Sequence, residues 1–165
     1  MTRSGSKIKA DVVVLRLTEP RSIFSSLLAR QSQIVNRKSQ MILGVGIDII
    51  EVARIASSFE KFGGRFVNRI LLPDEIAYCQ SHKNPAPFLA ARFAAKEAIS
   101  KAFGTGIGAA LGWQDMEIRR KASGEPFVVL HGKGRELFAS RGAKQLLVSL
   151  SHTQHYAAVT AVLEG

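Results

Sequence analysis

The run Met41-Ile42-Leu43-Gly44-Val45-Gly46-Ile47-Asp48 is where this chain turns from scattered polarity to sustained hydrophobicity. Seven apolar or glycine residues in succession, with no charge before Asp48, read as a buried β-strand. The preceding residues, 1–40, look different. They show weak periodicity, seven serines, and eight Lys or Arg against Asp11 and Glu19. We read them as a basic N-terminal extension outside the core and place the domain, residues 41–165, after it. Such a leader fits a targeting peptide, being rich in Arg and Ser and poor in acid, or an extension from an upstream start with Met41 the natural one. The second reading is preferred. Arg16, Pro20 and Arg21 interrupt its apolar pieces, so neither resembles the hydrophobic region of a secretory signal.

Downstream of the strand, Val52, Ile55, Ala56 and Phe59 recur at helical spacing within residues 51–62, and Gly63-Gly64 ends that helix. Residues 66–72 read as a short apolar turn. Pro73-Asp74-Glu75 opens a helix to about Ser81, with proline and acids in its first turn. Pro87 starts the longest helix, alanine-rich residues 88–103, closed by Gly104. Beyond the glycine-rich loop 104–112, residues 115–121 and 126–130 flank Ala122-Ser123-Gly124-Glu125 as a β-hairpin. Residues 132–140 form a helix, and 145–151 and 156–163 form strands joined at 152–155. The pattern predicts an α+β fold in which a long helix packs on a mainly antiparallel sheet.

A length of 165 residues with 46% hydrophobic and 22% charged side chains suits one folded domain and excludes a disordered chain. The longest uncharged run, residues 145–163, carries Ser151 to His155 in its middle, where a membrane-spanning helix would bury them unpaired. No transmembrane segment is expected. The single cysteine, Cys79, permits neither an internal disulfide nor a cysteine zinc cage and favours a reducing compartment, with the cytoplasm as default. Of the net charge of +10, residues 1–40 hold +6 and the other 125 residues +4, a mild excess that suits an acidic partner better than duplex DNA. A small basic nucleic-acid-binding module is the alternative that charge allows. Nine Phe against two Tyr and one Trp, mostly at apolar positions and without a basic-aromatic stripe, oppose it.

Four features carry candidate chemistry. Asp48 ends an uncharged apolar strand, where an ionised carboxylate needs a cation or several donors; it either caps the next helix or binds a metal. Phe93, Glu97 and Lys101 recur every four residues and share a helix face, giving either a surface ion pair or, with Asp48, the hard oxygen ligands that Mg2+ prefers. Gly104-Thr105-Gly106-Ile107-Gly108 follows a helix C-terminus, so it is no P-loop, though its glycines let a ligand approach closely. Ser151 and His152, at a turn between strands, are turn residues or part of an anion site.

In order, Gly46-Ile47-Asp48 with Arg54-Ile55, then Arg92-Phe93-Ala94-Ala95-Lys96-Glu97-Ala98 with Lys101-Ala102 and Gly104-Thr105-Gly106, then Ser151-His152, match one pattern. The chain resembles the holo-acyl-carrier-protein synthase family, the short bacterial type of 4'-phosphopantetheinyl transferase, from Met41 to about Glu164. It departs at Glu125, where the family often has Lys between this Gly and Pro. The resemblance implies transfer of 4'-phosphopantetheine from coenzyme A to a serine of apo-acyl carrier protein, releasing adenosine 3',5'-bisphosphate, in fatty acid biosynthesis. It implies Asp48 and Glu97 as ligands of Mg2+ and as catalytic residues together with Lys101. A metal-held water or one of these carboxylates would take the serine proton. Coenzyme A contacts are expected from Arg92, Lys101, Gly104, Gly124, Pro126, Ser151 and His152. Arg54, Lys61, Arg65 and Arg69 are expected to dock the acidic carrier. A homotrimer with sites between subunits is also implied, with no nucleic-acid or membrane partner.

Overall fold

A computed structural model describes residues 41–165; the expectations for residues 1–40 lie outside the described residues. In chain order it contains β1 (Ile42–Glu51), α1 (Val52–Phe62), α2 (Gly64–Ile70), α3 (Pro73–Gln80), α4 (Ala86–Ala102), β2 (Met116–Arg120), β3 (Pro126–Leu130), α5 (Gly132–Ser140), β4 (Gln145–His152) and β5 (Tyr156–Glu164). The main sheet is antiparallel in the order β1-β5-β4, and β2 pairs with β3 as the expected hairpin. The α+β expectation holds, including a long helix laid across an antiparallel sheet.

Glycine sets the distance between that helix and β1. A Cβ built at Gly46 would fall 1.9 Å from the Ala98 carbonyl oxygen, and one at Gly44 would fall 2.0 Å from that of Ala102. Backbone therefore rests on backbone. The helix matches this with Ala90, Ala94, Ala95 and Ala98, all fully buried, and β5 contributes Ala157, Val159, Ala161 and Leu163 to the same layer. Register confirms the shared face, since Gly46 stands opposite Ala161 and Asp48 opposite Val159.

Two expectations are corrected here. The first strand is not buried on both faces, because alternate residues point away from α4 and no second layer among the described residues covers them: Ile47 and Ile49 are 65% and 66% exposed. The strand also runs three residues past Asp48. The second correction concerns residues 66–72, read as a turn. The chain reverses at Gly63, where φ is 53°, and starts a new helix, α2, that buries Val67 and Ile70 three residues apart. Its seven residues are too few for a clear periodic signal.

A buried ion pair ties these elements together. Lys96, fully buried on α4, donates from Nζ to Glu75 Oε2 at 2.7 Å, to the Ile70 carbonyl at 2.7 Å and to the Trp113 carbonyl at 3.0 Å. Glu75 in turn accepts from the backbone amides of Leu72 and Ile118. Burial pulls the Lys96 pKa down while Glu75 supports the charged form, and every proton of the ammonium has an acceptor.

The glycine contact yields a direct prediction: Gly46→Ala destabilises the domain by about 3 kcal/mol, because the new methyl meets backbone that cannot rotate away. Urea denaturation measures it, and a loss below about 0.5 kcal/mol, the scale of a surface substitution, would show that α4 can lift off β1 without cost.

Candidate active site

Asp48 sits on the α4 face of β1 with its side chain 15% exposed, and α4 passes directly over it. Lys101 Nζ donates to Asp48 Oδ1 at 2.8 Å and to the Ile47 carbonyl at 2.9 Å. One turn earlier on α4, Glu97 is half-buried, and its carboxyl titrates above the usual range: burial raises it most, Asp48 raises it further, and Lys101 works against both. The two carboxylates are thus close enough to feel each other's charge. Asp48 does not cap α1, whose N-cap residue is Glu51 with no side-chain cap. Nor is Lys101 the surface partner of Glu97, since its hydrogen bonds go to β1.

This donor set fits a divalent cation of the Mg2+ type. Two carboxylates with one compensating ammonium leave negative charge unbalanced, and both offer hard oxygens. Among the described residues no group of three His, Cys, Asp or Glu forms a closed cage. Water and substrate oxygens would complete the octahedron, as Mg2+ favours.

A second cluster lies elsewhere on α4. Arg92, Pro126, Ser151 and His152 line a pocket of about 260 Å³ together with Tyr78, Phe88 and Arg120. Arg92 is 4% exposed, its guanidinium lies 4.0 Å over the Tyr78 ring, and its Nε has no hydrogen-bond partner. The positive charge of Arg92 at the pocket wall favours an anionic ligand there. Arg120, opposite Pro126 in the hairpin, donates to the Tyr78 hydroxyl at 3.0 Å and brings a second positive charge.

The structure therefore splits the expected coenzyme A contacts. Arg92, Pro126, Ser151 and His152 share the pocket, whereas Lys101, paired with Asp48, and Gly104, just past the end of α4, lie outside it. Gly124, at φ 88°, forms the hairpin turn without lining the pocket. Arg92 and Glu97 are five residues apart on α4, about 140° around the helix, so they face different ways. Arg54 and Lys61 are exposed on α1, Arg65 and Arg69 on α2; Arg54 rims an apolar groove lined by Ile55, Phe66 and Phe93. The departure at Glu125 is compensated locally, since Lys121 Nζ donates to both its carboxylate oxygens at 2.9 Å.

Sequence reading missed Tyr78, Phe88 and Arg120. The four-residue spacing of Phe88 and Arg92 was an available signal, as was the pairing of Arg120 with Pro126 across the hairpin. Tyr78 carried none, because only folding brings α3 against α4. The Glu75–Lys96 pair was likewise invisible, since Lys96 reads as one more charge beside Glu97.

A family model described as the 4'-phosphopantetheinyl transferase superfamily matches residues 44–161. The chain belongs to this superfamily. It is 49% identical over 124 residues to a holo-[acyl-carrier-protein] synthase of Koribacter versatilis, covering 75% of this chain and 99% of that protein. The holo-[acyl-carrier-protein] synthase structure from Neisseria meningitidis matches with a TM-score of 0.71 at 34% identity, over 76% of this chain and 100% of that one. A Helicobacter pylori holo-[acyl-carrier-protein] synthase crystallised in complex with coenzyme A matches at TM-score 0.65 and 33% identity, over 72% of this chain and 98% of that one. Both clusters of this phosphopantetheinyl transferase lie within the matched span. Among the described residues no helix is long and apolar enough to cross a membrane.

The Glu97 environment makes a prediction with a fixed sign. Because the folded carboxyl titrates above the unfolded one, ionised Glu97 costs stability at neutral pH, and that cost is relieved as pH falls through the folded value. Glu97→Gln is expected to melt no lower than wild type at pH 7. In Asp48→Asn, Glu97 should titrate lower, as followed by carboxyl NMR; an unchanged titration would show that the two groups do not interact.

Proposed function

We propose that the chain transfers 4'-phosphopantetheine from coenzyme A to a serine hydroxyl of apo-acyl carrier protein, with Mg2+, as a cytoplasmic step serving fatty acid biosynthesis. The observation that carries this reading is the convergence of Asp48, Glu97 and Lys101 across the β1–α4 contact. In the reaction, the serine hydroxyl gives its proton to water or to one of the carboxylates, its oxygen forms a bond to the pantetheine-bearing phosphorus, the pyrophosphate bridge breaks, and adenosine 3',5'-bisphosphate leaves. When bound, Mg2+ supplies positive charge to oxygens on which negative charge develops. Asp48 and Glu97 would hold it. Lys101, half-exposed beside them, offers a further donor to the pyrophosphate.

The pocket around Arg92 and His152 suits the nucleotide end of coenzyme A. Arg92 and Arg120 both line it and bring positive charge for phosphate. Glu97 and Arg92 face different ways on one helix, and we take a site that uses both to be assembled from two copies of the chain. The uncovered face of the sheet, with Val45, Ile47, Ile49 and Leu147 exposed, supplies an apolar surface for such an assembly, which we take to be a trimer. Arg54, Lys61, Arg65 and Arg69 present the positive face that an acidic carrier protein would meet, with the groove beside Arg54 accepting apolar side chains.

Incubation with coenzyme A, Mg2+ and an apo-carrier protein should give the phosphopantetheine adduct by mass spectrometry. Asp48→Ala and Glu97→Ala should each lower the rate by about 100-fold or more while remaining folded, because a two-carboxylate site that loses one ligand leaves the transition-state charge poorly compensated. An active Asp48→Ala enzyme at ordinary Mg2+ would contradict the metal assignment.

Residues 41–165 form the transferase domain in this reading. Deleting residues 1–40 should leave kcat and melting temperature within experimental scatter, and an inactive or insoluble truncation would place part of the leader in the functional unit.

A further inference from the structure

Behind the Arg92 pocket, and outside its lining, stands His82. It follows α3, is half-buried, and touches both side chains that hold the pocket's polar groups in place. Its ring stacks on Phe88 with centroids 3.6 Å apart and planes inclined by 23°. On the pocket side, the Phe88 ring meets the His152 ring edge-on at 4.8 Å. His82 Nδ1 donates to the Tyr78 carbonyl at 2.8 Å, and the two rings lie 4.8 Å apart. Tyr78 in turn carries Arg92 over its ring and receives the hydrogen bond from Arg120.

Every cationic or imidazole group of the pocket is therefore braced by Tyr78 or Phe88, and both of these are braced by His82. We propose that His82 is a positioning residue for the nucleotide end of coenzyme A, acting through Phe88 on His152 and through Tyr78 on Arg92 and Arg120. This rests on the reading of the Arg92 pocket as the nucleotide site. The Tyr78 carbonyl can only accept, so Nδ1 carries a proton and the ring is held in one orientation. A stacked, hydrogen-bonded ring restricts Phe88 to one rotamer, and without it the pocket wall must be ordered by the ligand at a cost in affinity. His82 touches no residue of the Asp48–Glu97–Lys101 cluster among its ring and hydrogen-bond contacts, so its influence falls on binding and not on the chemical step.

The test uses the full 165-residue chain. His82→Ala should raise both the KM for coenzyme A and the Kd for adenosine 3',5'-bisphosphate about threefold to tenfold, the scale of one lost aromatic contact. The kcat and the KM for carrier protein should stay at wild-type values. His82→Phe keeps the stack and should recover most of the loss. If coenzyme A and nucleotide binding are unchanged in His82→Ala, or if kcat or carrier affinity changes instead, the proposal is overturned. Should His82→Ala fail to fold, His82→Leu, which fills the space but removes the stacked ring, takes its place: a loss of threefold or more that His82→Phe does not share supports the proposal, and unchanged nucleotide binding overturns it. The underlying reading is tested separately by Arg92→Gln. Wild-type protein that does not bind the nucleotide, or an Arg92→Gln variant that binds it equally well, removes that reading whatever His82 does.

Discussion

The contact of the α4 backbone with the bare backbone of β1 at Gly44 and Gly46 is the constraint from which the rest of the structure follows. Side chains normally hold a helix away from a strand; here the Ala98 and Ala102 carbonyls occupy the space where Cβ atoms would stand. Asp48, the next residue on that face of β1, meets a helix already close enough for Lys101 to reach it at 2.8 Å. Glu97 follows because it lies one turn from Lys101. A conventional spacing would leave a charged residue on each element with water between them.

Two lysines five residues apart on α4 show how burial divides structural from chemical roles. Lys96 is fully buried and spends its protons on Glu75 and two carbonyls, so it pins α2, α3 and the Trp113 segment to the helix and has nothing left for a ligand. Lys101 is half-exposed, and the charge beside it is not balanced, since its single ammonium pairs with Asp48 and leaves Glu97 without an ion-pair partner among the described residues. Arg92 is likewise incomplete at Nε. Groups that hold the fold have their partners, and groups assigned to the reaction are left short of them, which is how a site prepared for an outside ligand differs from a structural network.

Most of the fold could be read along the chain because its signals are local. Glycines in β1, the alanine-rich helix, the hairpin turn at Gly124 and the strand pair around His152 each declare themselves within about ten residues. The Asp48–Glu97 pairing came from matching a known pattern, and the structure supplies its physical cause in the glycine contact. Features that depend on distant parts of the chain were not legible. Whether the second face of β1 is covered depends on what lies beyond the sheet, and periodicity registers only alternation. The wall of the Arg92 pocket joins Tyr78 of α3, Phe88 of α4 and Arg120 of β2, three elements whose juxtaposition no single spacing encodes. α2 failed for a simpler reason: seven residues give too few repeats to distinguish a helix from a turn.

In the proposed reaction Asp48 and Glu97 act on one cation because the glycine contact brings them together. Anomalous diffraction from crystals of the protein grown with coenzyme A and Mn2+, which shares the preference of Mg2+ for hard oxygen ligands, examines that directly. We expect one metal peak within coordination distance of both carboxylates. A peak bound by only one of them, or located on other residues while Asp48 remains paired with Lys101, would contradict it.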